Sequence, residues 1–230
     1  MKTIGLIGGM SWESTALYYR AINRAVASRL GGLHSARLLL YSVDFAEIED
    51  MQRRGAWDEA GVRLAEVACA LERGGADFLL LCANTMHEVA DAITDGVGIP
   101  LLHIADATAD ALVAAGVRRV GLLGTRFTME RDFYRRRLES RGLTVVVPSE
   151  ADRETVHRVI YEELCRGEVR DASRVAYREV IARLVAAGAE GIALACTEIG
   201  MLIGPNDAAV PIFDTGEIHA QAATDYALRE

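Results

Sequence analysis

Short, nearly all-apolar runs alternate along this chain with longer stretches whose apolar residues recur every three or four positions. The runs read as strands buried on both faces, as in parallel sheets, and the periodic stretches as amphipathic helices. Ile4-Gly5-Leu6-Ile7 runs into the glycine turn Gly8-Gly9 and then Met10-Ser11-Trp12-Glu13-Ser14-Thr15. Ser11 or Ser14 is placed to cap a helix carrying Tyr18, Tyr19 and Ile22. A second strand, Ala36–Val43, leads through a polar segment to Met51-Gln52-Arg53-Arg54-Gly55, and a helix follows over Trp57–Arg73. Asp77-Phe78-Leu79-Leu80 is a third strand, closed by Leu81-Cys82-Ala83-Asn84-Thr85-Met86-His87; a helix is expected over Glu88–Thr94. Ile99–Ile104 is a fourth strand, with Asp106 or Thr108 opening the next helix.

The pattern then restarts. Val120-Gly121-Leu122-Leu123-Gly124-Thr125 echoes Ile4–Gly9, Phe133-Tyr134-Arg135 echoes Tyr18-Tyr19-Arg20, Cys196 echoes Cys82, and Val210–Thr215 echoes Ile99–Ile104. The order is unchanged and the offset stays between 111 and 116 residues. This predicts a duplicated α/β unit: two parallel sheets, each flanked by helices through right-handed crossovers. The strand ends of both would border one interdomain cleft, where open α/β sheets place their ligands. Glycine and proline near residues 98 and 207 suggest the boundaries: a first domain of 1–98 plus 208–230, and a second of 99–207.

Composition narrows the function. At 51% hydrophobic and 25% charged, the chain falls in the ordinary range of folded proteins. A net charge of −8 offers no general attraction to nucleic acid or an anionic membrane. The basic stretch Arg131–Arg141 reads as a solvated helix face, its arginines spaced around Phe133, Tyr134 and Leu138. No apolar run approaches the roughly 20 residues of a membrane helix. The first residues read as a strand rather than a signal peptide, so a cytoplasmic protein with reduced thiols is expected. No CxxC pair, HExxH or His/Cys cluster suggests a metal, and Gly8-Gly9 is not the GxGxxG of a dinucleotide site. Lys2 is the only lysine, at the start of the first strand, which argues against an internal pyridoxal Schiff base. No cofactor is expected.

The candidate chemistry lies at two strand ends. Cys82 is followed by Asn84 and Thr85, and Cys196 by Thr197 and Glu198. Two thiols at matched positions suit inversion at carbon, in which one thiolate removes a proton and the opposite thiol returns one to the other face. The thiolate is the active base, and the helix starts after each thiol are expected to lower its pKa. Buried cysteines at strand ends are also common as small hydrophobes, the reading preferred for Cys69. Gln52 or one of Arg53 and Arg54, turned inward, can hold a carboxylate. Glu198 can orient a substrate amine or raise the Cys196 pKa. His87 and His103 can tune a thiolate, bind substrate or serve as structural donors. Asp214 is equally a helix cap, and Cys165 has no catalytic spacing.

Cys82-Ala83-Asn84-Thr85 and Ala195-Cys196-Thr197-Glu198, with the opening Gly-Leu-Ile-Gly-Gly-Met-Ser-Trp, closely resemble the aspartate/glutamate racemase family over essentially the whole chain. The resemblance implies two Rossmann-like, pseudo-symmetric domains, a homodimer, and racemisation of a small acidic amino acid independent of pyridoxal phosphate. It also implies a two-base mechanism with one acid/base from each domain. Cys196 is one of them; Asn84, Thr85 and Thr197 bind the amino acid, with Met10, Ser11, Gln52 and Thr125 lining the pocket.

One position departs from the pattern. Where most of the family carries the other catalytic cysteine, and some relatives threonine, this chain has Ala83, whose methyl carries no proton. Cys82 stands one place earlier, and in extended chain that shift turns a side chain to the other face. Three outcomes stay open on the residues. Cys82 substitutes and the chain racemises. Cys196 acts alone, giving proton exchange, decarboxylation or isomerisation of a related acid. Or water fills the gap and racemisation is slow, with a weakly catalytic amino-acid-binding homologue as the limiting case.

Overall fold

The computed structural model describes residues 1–229. In chain order the elements are β1 (Ile4–Gly8), α1 (Trp12–Leu30), β2 (Leu38–Ser42), α2 (Phe45–Arg54), α3 (Trp57–Arg73), β3 (Phe78–Leu81), α4 (Ala90–Asp95) and β4 (Leu101–Leu102). They continue with α5 (Ile104–Ala114), β5 (Arg119–Gly124), α6 (Arg126–Glu130), α7 (Asp132–Glu139), β6 (Thr144–Val146), α8 (Glu150–Glu162), α9 (Asp171–Ala186), β7 (Gly191–Ala195), α10 (Ile199–Leu202), β8 (Ile212–Asp214) and α11 (Thr215–Leu228). Every strand pairing is parallel, in the orders β2-β1-β3-β4 and β6-β5-β7-β8. The duplication expected from the sequence is thus a repeated sheet topology.

Two compact units result: Met1–His103 with the chain from His219 onward, and Ile104–Ile218. The crossings therefore fall after β4 and β8, not at the expected boundaries of 98/99 and 207/208. The reason is hydrogen bonding: Leu79 and Leu80 pair with Leu101 and Leu102, and Ile192 to Leu194 pair with Ile212 to Asp214. Each fourth strand stays in its own sheet.

Side-chain alternation along the central strands fills two layers in each unit. From β3, Phe78 and Leu80 pack with Ile4, Leu6, Tyr18, Ile22 and the alanines Ala220, Ala223 and Ala227 of α11. Leu79 and Leu81 face the other way, against Leu64, Val67, Ala68 and Leu71 of α3. In the second unit Ile192 and Leu194 pack on α8 and α9, while Ala193 and Ala195 lie against Tyr134, Leu138 and Leu112. The basic stretch is the outer side of α7, its arginines paired with Asp132, Asp106 and Asp110.

Local departures from the expected elements follow from chain geometry. The segment after β3 forms a 3-10 turn, Thr85–Val89, before α4 starts, where a single helix over Glu88–Thr94 was expected. Cys69 is half-buried and donates to the Gly96 carbonyl at 3.0 Å, so it is not plain core. The turn after β1 needs glycine: Gly9 has φ 95°, and a Cβ there would run into the Val43 carbonyl and meet its amide nitrogen at 2.6 Å. Gly9→Ala is expected to lower stability by at least about 2 kcal/mol, since the left-handed strain and the backbone clash both persist in the folded state. Urea unfolding checks this; a midpoint equal to the parent's contradicts it.

Candidate active site

In the first unit the glycine turn brings β1 onto the start of α1. The Gly9 N–H donates to Thr15 Oγ1 at 2.8 Å, and the Ser14 and Thr15 hydroxyls donate to the Ser11 carbonyl. Ser11 is the N-cap, but its hydroxyl does not cap the helix. Met10 and Ser11 are buried and joined by a cis peptide. Gln52 is the polar side chain of its segment that turns inward, donating to Met86 Sδ at 2.9 Å, whereas Arg53 and Arg54 turn out to Asp50 and Glu59. Ala83 shares a core cluster with Met10 and Met86, and Asn84 and Thr85 follow it, both buried. Met10, Ser11, Gln52, Ala83, Asn84 and Thr85 thus gather at the carboxyl side of the first sheet.

Cys82 does not join them. Its thiol is fully buried on the opposite face of β3, among Tyr18, Ile22 and Ala223, and this burial pushes it far above the ordinary thiol pKa.

Three histidines surround this strand end. Because a carbonyl only accepts, His87 Nδ1–H donates to the Ala83 oxygen at 2.7 Å. The His103 ring, just past β4, lies 4.3 Å from the His87 ring, and the His219 ring 5.9 Å from it. His219, which the sequence reading did not single out, has both nitrogens engaged. Nε2–H donates to the Leu102 carbonyl at 2.9 Å, and Nδ1 accepts from Tyr18 Oη at 2.8 Å. Burial lowers its pKa to about 4. Among the described residues no His, Cys, Asp or Glu set is arranged to hold a metal.

In the second unit Thr125 caps α6, accepting from the Thr128 N–H at 3.3 Å. Cys196, 5% exposed, directly follows β7. Its Sγ–H donates to Glu198 Oε2 at 3.0 Å, and the Thr197 hydroxyl donates to the same oxygen at 2.9 Å. Burial, and then the Glu198 carboxylate, hold the thiol well above its usual range. The expectation that a following helix start would lower it does not hold, because α10 is a single turn and desolvation outweighs it. Asp214 accepts from the Gly216 and Glu217 N–H groups as a helix cap, with its pKa raised by burial. Gly200 lets the chain after the thiol pass beside it: a Cβ there would collide with Asp214 Oδ2. Cys165 packs half-buried against the cluster that holds Cys196.

Sheet register decides which residues of the two units correspond. Ile7 pairs with Leu81; its counterpart Leu123 pairs with Leu194. Leu194 therefore answers to Leu81, and two residues on, Cys196 answers to Ala83. The match of Cys196 with Cys82, drawn from sequence spacing, is one residue out: Cys82 answers to Ala195. Likewise Thr197 answers to Asn84, Glu198 to Thr85, Gly200 to His87, and, along the fourth strands, Asp214 to His103.

The sequence profile of the Asp/Glu/hydantoin racemases matches residues 7–223. The chain belongs to that family. It is therefore an isomerase, an amino-acid racemase. Among solved structures it is similar to a Yersinia pestis protein ascribed to the Asp/Glu racemases, 56% identical over 100% of both chains with a TM-score of 0.92. An aspartate racemase homologue from Pyrococcus horikoshii is 37% identical, also over 100% of both chains, with a TM-score of 0.84. The broad specificity amino-acid racemase of Bacillus subtilis is 22% identical over 95% of each chain. The paired α/β units are the family's fold.

Two outcomes test these placements. Between pH 6.5 and about 4 the unfolded chain binds a proton at His219 that the folded protein refuses, so stability falls as pH falls through that window. The parent is expected to lose about 3 kcal/mol more than His219→Gln across it, by urea unfolding at each pH; equal losses contradict the assignment. Glu198→Gln removes a negative charge beside Cys196 and is expected to lower its thiol pKa, read as the pH dependence of alkylation mapped to the Cys196 peptide. An unchanged or raised midpoint contradicts the contact.

Proposed function

We infer that this racemase inverts a small acidic amino acid without a cofactor, with Cys196 exchanging the proton on one face of Cα. The observation that carries the reading is the Cys196–Glu198 contact at the end of β7, a thiol with a proton acceptor 3.0 Å away. A thiol raised by burial stays protonated and ready to donate. In the opposite direction Glu198 takes the proton and leaves the thiolate as base. The names of the Pyrococcus and Yersinia relatives, an aspartate racemase homologue and an Asp/Glu racemase, support an acidic substrate. Lys2 supports the absence of a Schiff base: it precedes β1, at the opposite end of the first sheet from Asn84 and Thr85, with Nζ 4.8 Å from the Tyr226 ring. Hydrogen bonds must then stabilise the carbanion, and Asn84, Thr85 and Thr197 supply donors suited to the substrate carboxylates.

A second reading, one-base exchange by Cys196, is favoured by the burial of Cys82 and the methyl of Ala83. Incubation of each enantiomer of aspartate and glutamate in D₂O separates the two. Racemisation is expected as Cα deuteration with inversion, reduced at least about 10²-fold in Cys196→Ala. Deuteration with full retention supports the one-base reading, and binding without exchange contradicts both.

A further inference from the structure

We propose that the outer side of α3 docks a second copy of this chain, the two helices packing antiparallel about a two-fold axis between Ala65 and Glu66. A groove of about 610 Å³ runs along α3, lined by Asp58, Val62, Ala65, Glu66, Cys69 and Arg73, and by Ala92 of α4. Asp58, Val62, Ala65, Cys69 and Arg73 recur every three or four positions. They form one stripe along the helix, about 22 Å from end to end. Val62, 62% exposed, is an apolar side chain left uncovered by its own chain.

Small residues keep the middle of this stripe low. Gly61 lets α4 come so close that a Cβ there would stand 3.0 Å from the Ala92 Cβ. Cys69 donates its S–H to the Gly96 carbonyl at 3.0 Å, so the groove meets a thiol already satisfied within the chain. With alanine and cysteine at its centre, a second helix can reach the roughly 8–10 Å separation of packed helices.

Charge complementarity selects the occupant. In a two-fold contact residue i meets j and j meets i. Reversing α3 about the point between Ala65 and Glu66 sets Asp58 against Arg73 of the second copy, Val62 against Cys69, and Ala65 against Glu66. The α3 lining thus maps onto itself. The charges at its two ends are opposite and unspent. Glu59 pairs with Arg54, Glu66 with Arg63, and Glu72 accepts from the Gly98 N–H, whereas Asp58 and Arg73 have no ion-pair partner among the described residues. An acidic partner would meet Asp58 and a basic one Arg73; the reversed helix satisfies both, and such pairs fix register.

Sedimentation velocity of the full chain tests this. The stripe is narrow, at the small end of specific interfaces, so the parent should pass from monomer to dimer over about 1–100 μM. Val62→Arg should dissociate at least about 10-fold more readily, with circular dichroism and thermal unfolding unchanged because the side chain is exposed. Asp58→Arg and Arg73→Asp, which set like charges against each other, should each be monomeric where the parent is dimeric. Mixed in equal amounts they should dimerise, since each end of Asp58→Arg then meets an opposite charge on Arg73→Asp. A parent that stays monomeric throughout overturns the proposal, as does a dimer that survives Val62→Arg, or a mixture of the folded charge variants that fails to associate. Catalysis plays no part in these readouts, so their failure leaves the racemase reading standing.

Discussion

An extended chain turns successive side chains to opposite faces, and this alternation governs which residues lie on each face at the end of β3. Phe78, Leu80 and Cys82 face α1 and α11, while Leu79, Leu81 and Ala83 face the other layer. No rotamer carries the Cys82 sulfur through the strand to the side where Ala83 packs with Met10 and Met86. The Cys82 thiol therefore contributes packing, and the position aligned with Cys196 of the second unit is a methyl.

Burial then sets the electrostatics. Strand ends inside a three-layer α/β unit are dry, so charged forms are disfavoured: Cys82 and Cys196 are held protonated and His219 neutral. Ionisation at such a place needs a partner that moves with the proton. The nearest acceptor to the Cys196 thiol is Glu198 Oε2, which also accepts from the Thr197 hydroxyl. The two units share a fold and a register but not a set of ionisable groups, and the imidazoles of the first stand where the second has a glycine and an aspartate.

Much of this is legible in the sequence. Parallel strands carry buried side chains on both faces, so they stand out as apolar runs, and eight strands in two matching orders leave a repeat that spacing alone reveals. The signature Ala195-Cys196-Thr197-Glu198 led to the second strand end, and His87 and His103 were visible as titratable residues near the first. The domain boundaries were less legible, because the Gly and Pro residues near 98 and 207 mark turns before β4 and β8. Those strands stay with their own sheets through hydrogen bonds that composition does not report. His219 had no local signal at all, for its partners Tyr18 and Leu102 are far away in sequence.

By itself, then, the sequence determined the architecture, the family and the residues that can carry protons, since these follow from periodicity, local order and side-chain chemistry. Tertiary structure decided which of them are aligned, which are turned into the core and which are kept neutral. Those properties depend on strand register, on facing and on exclusion of water, and each arises only when segments distant in the chain pack against one another.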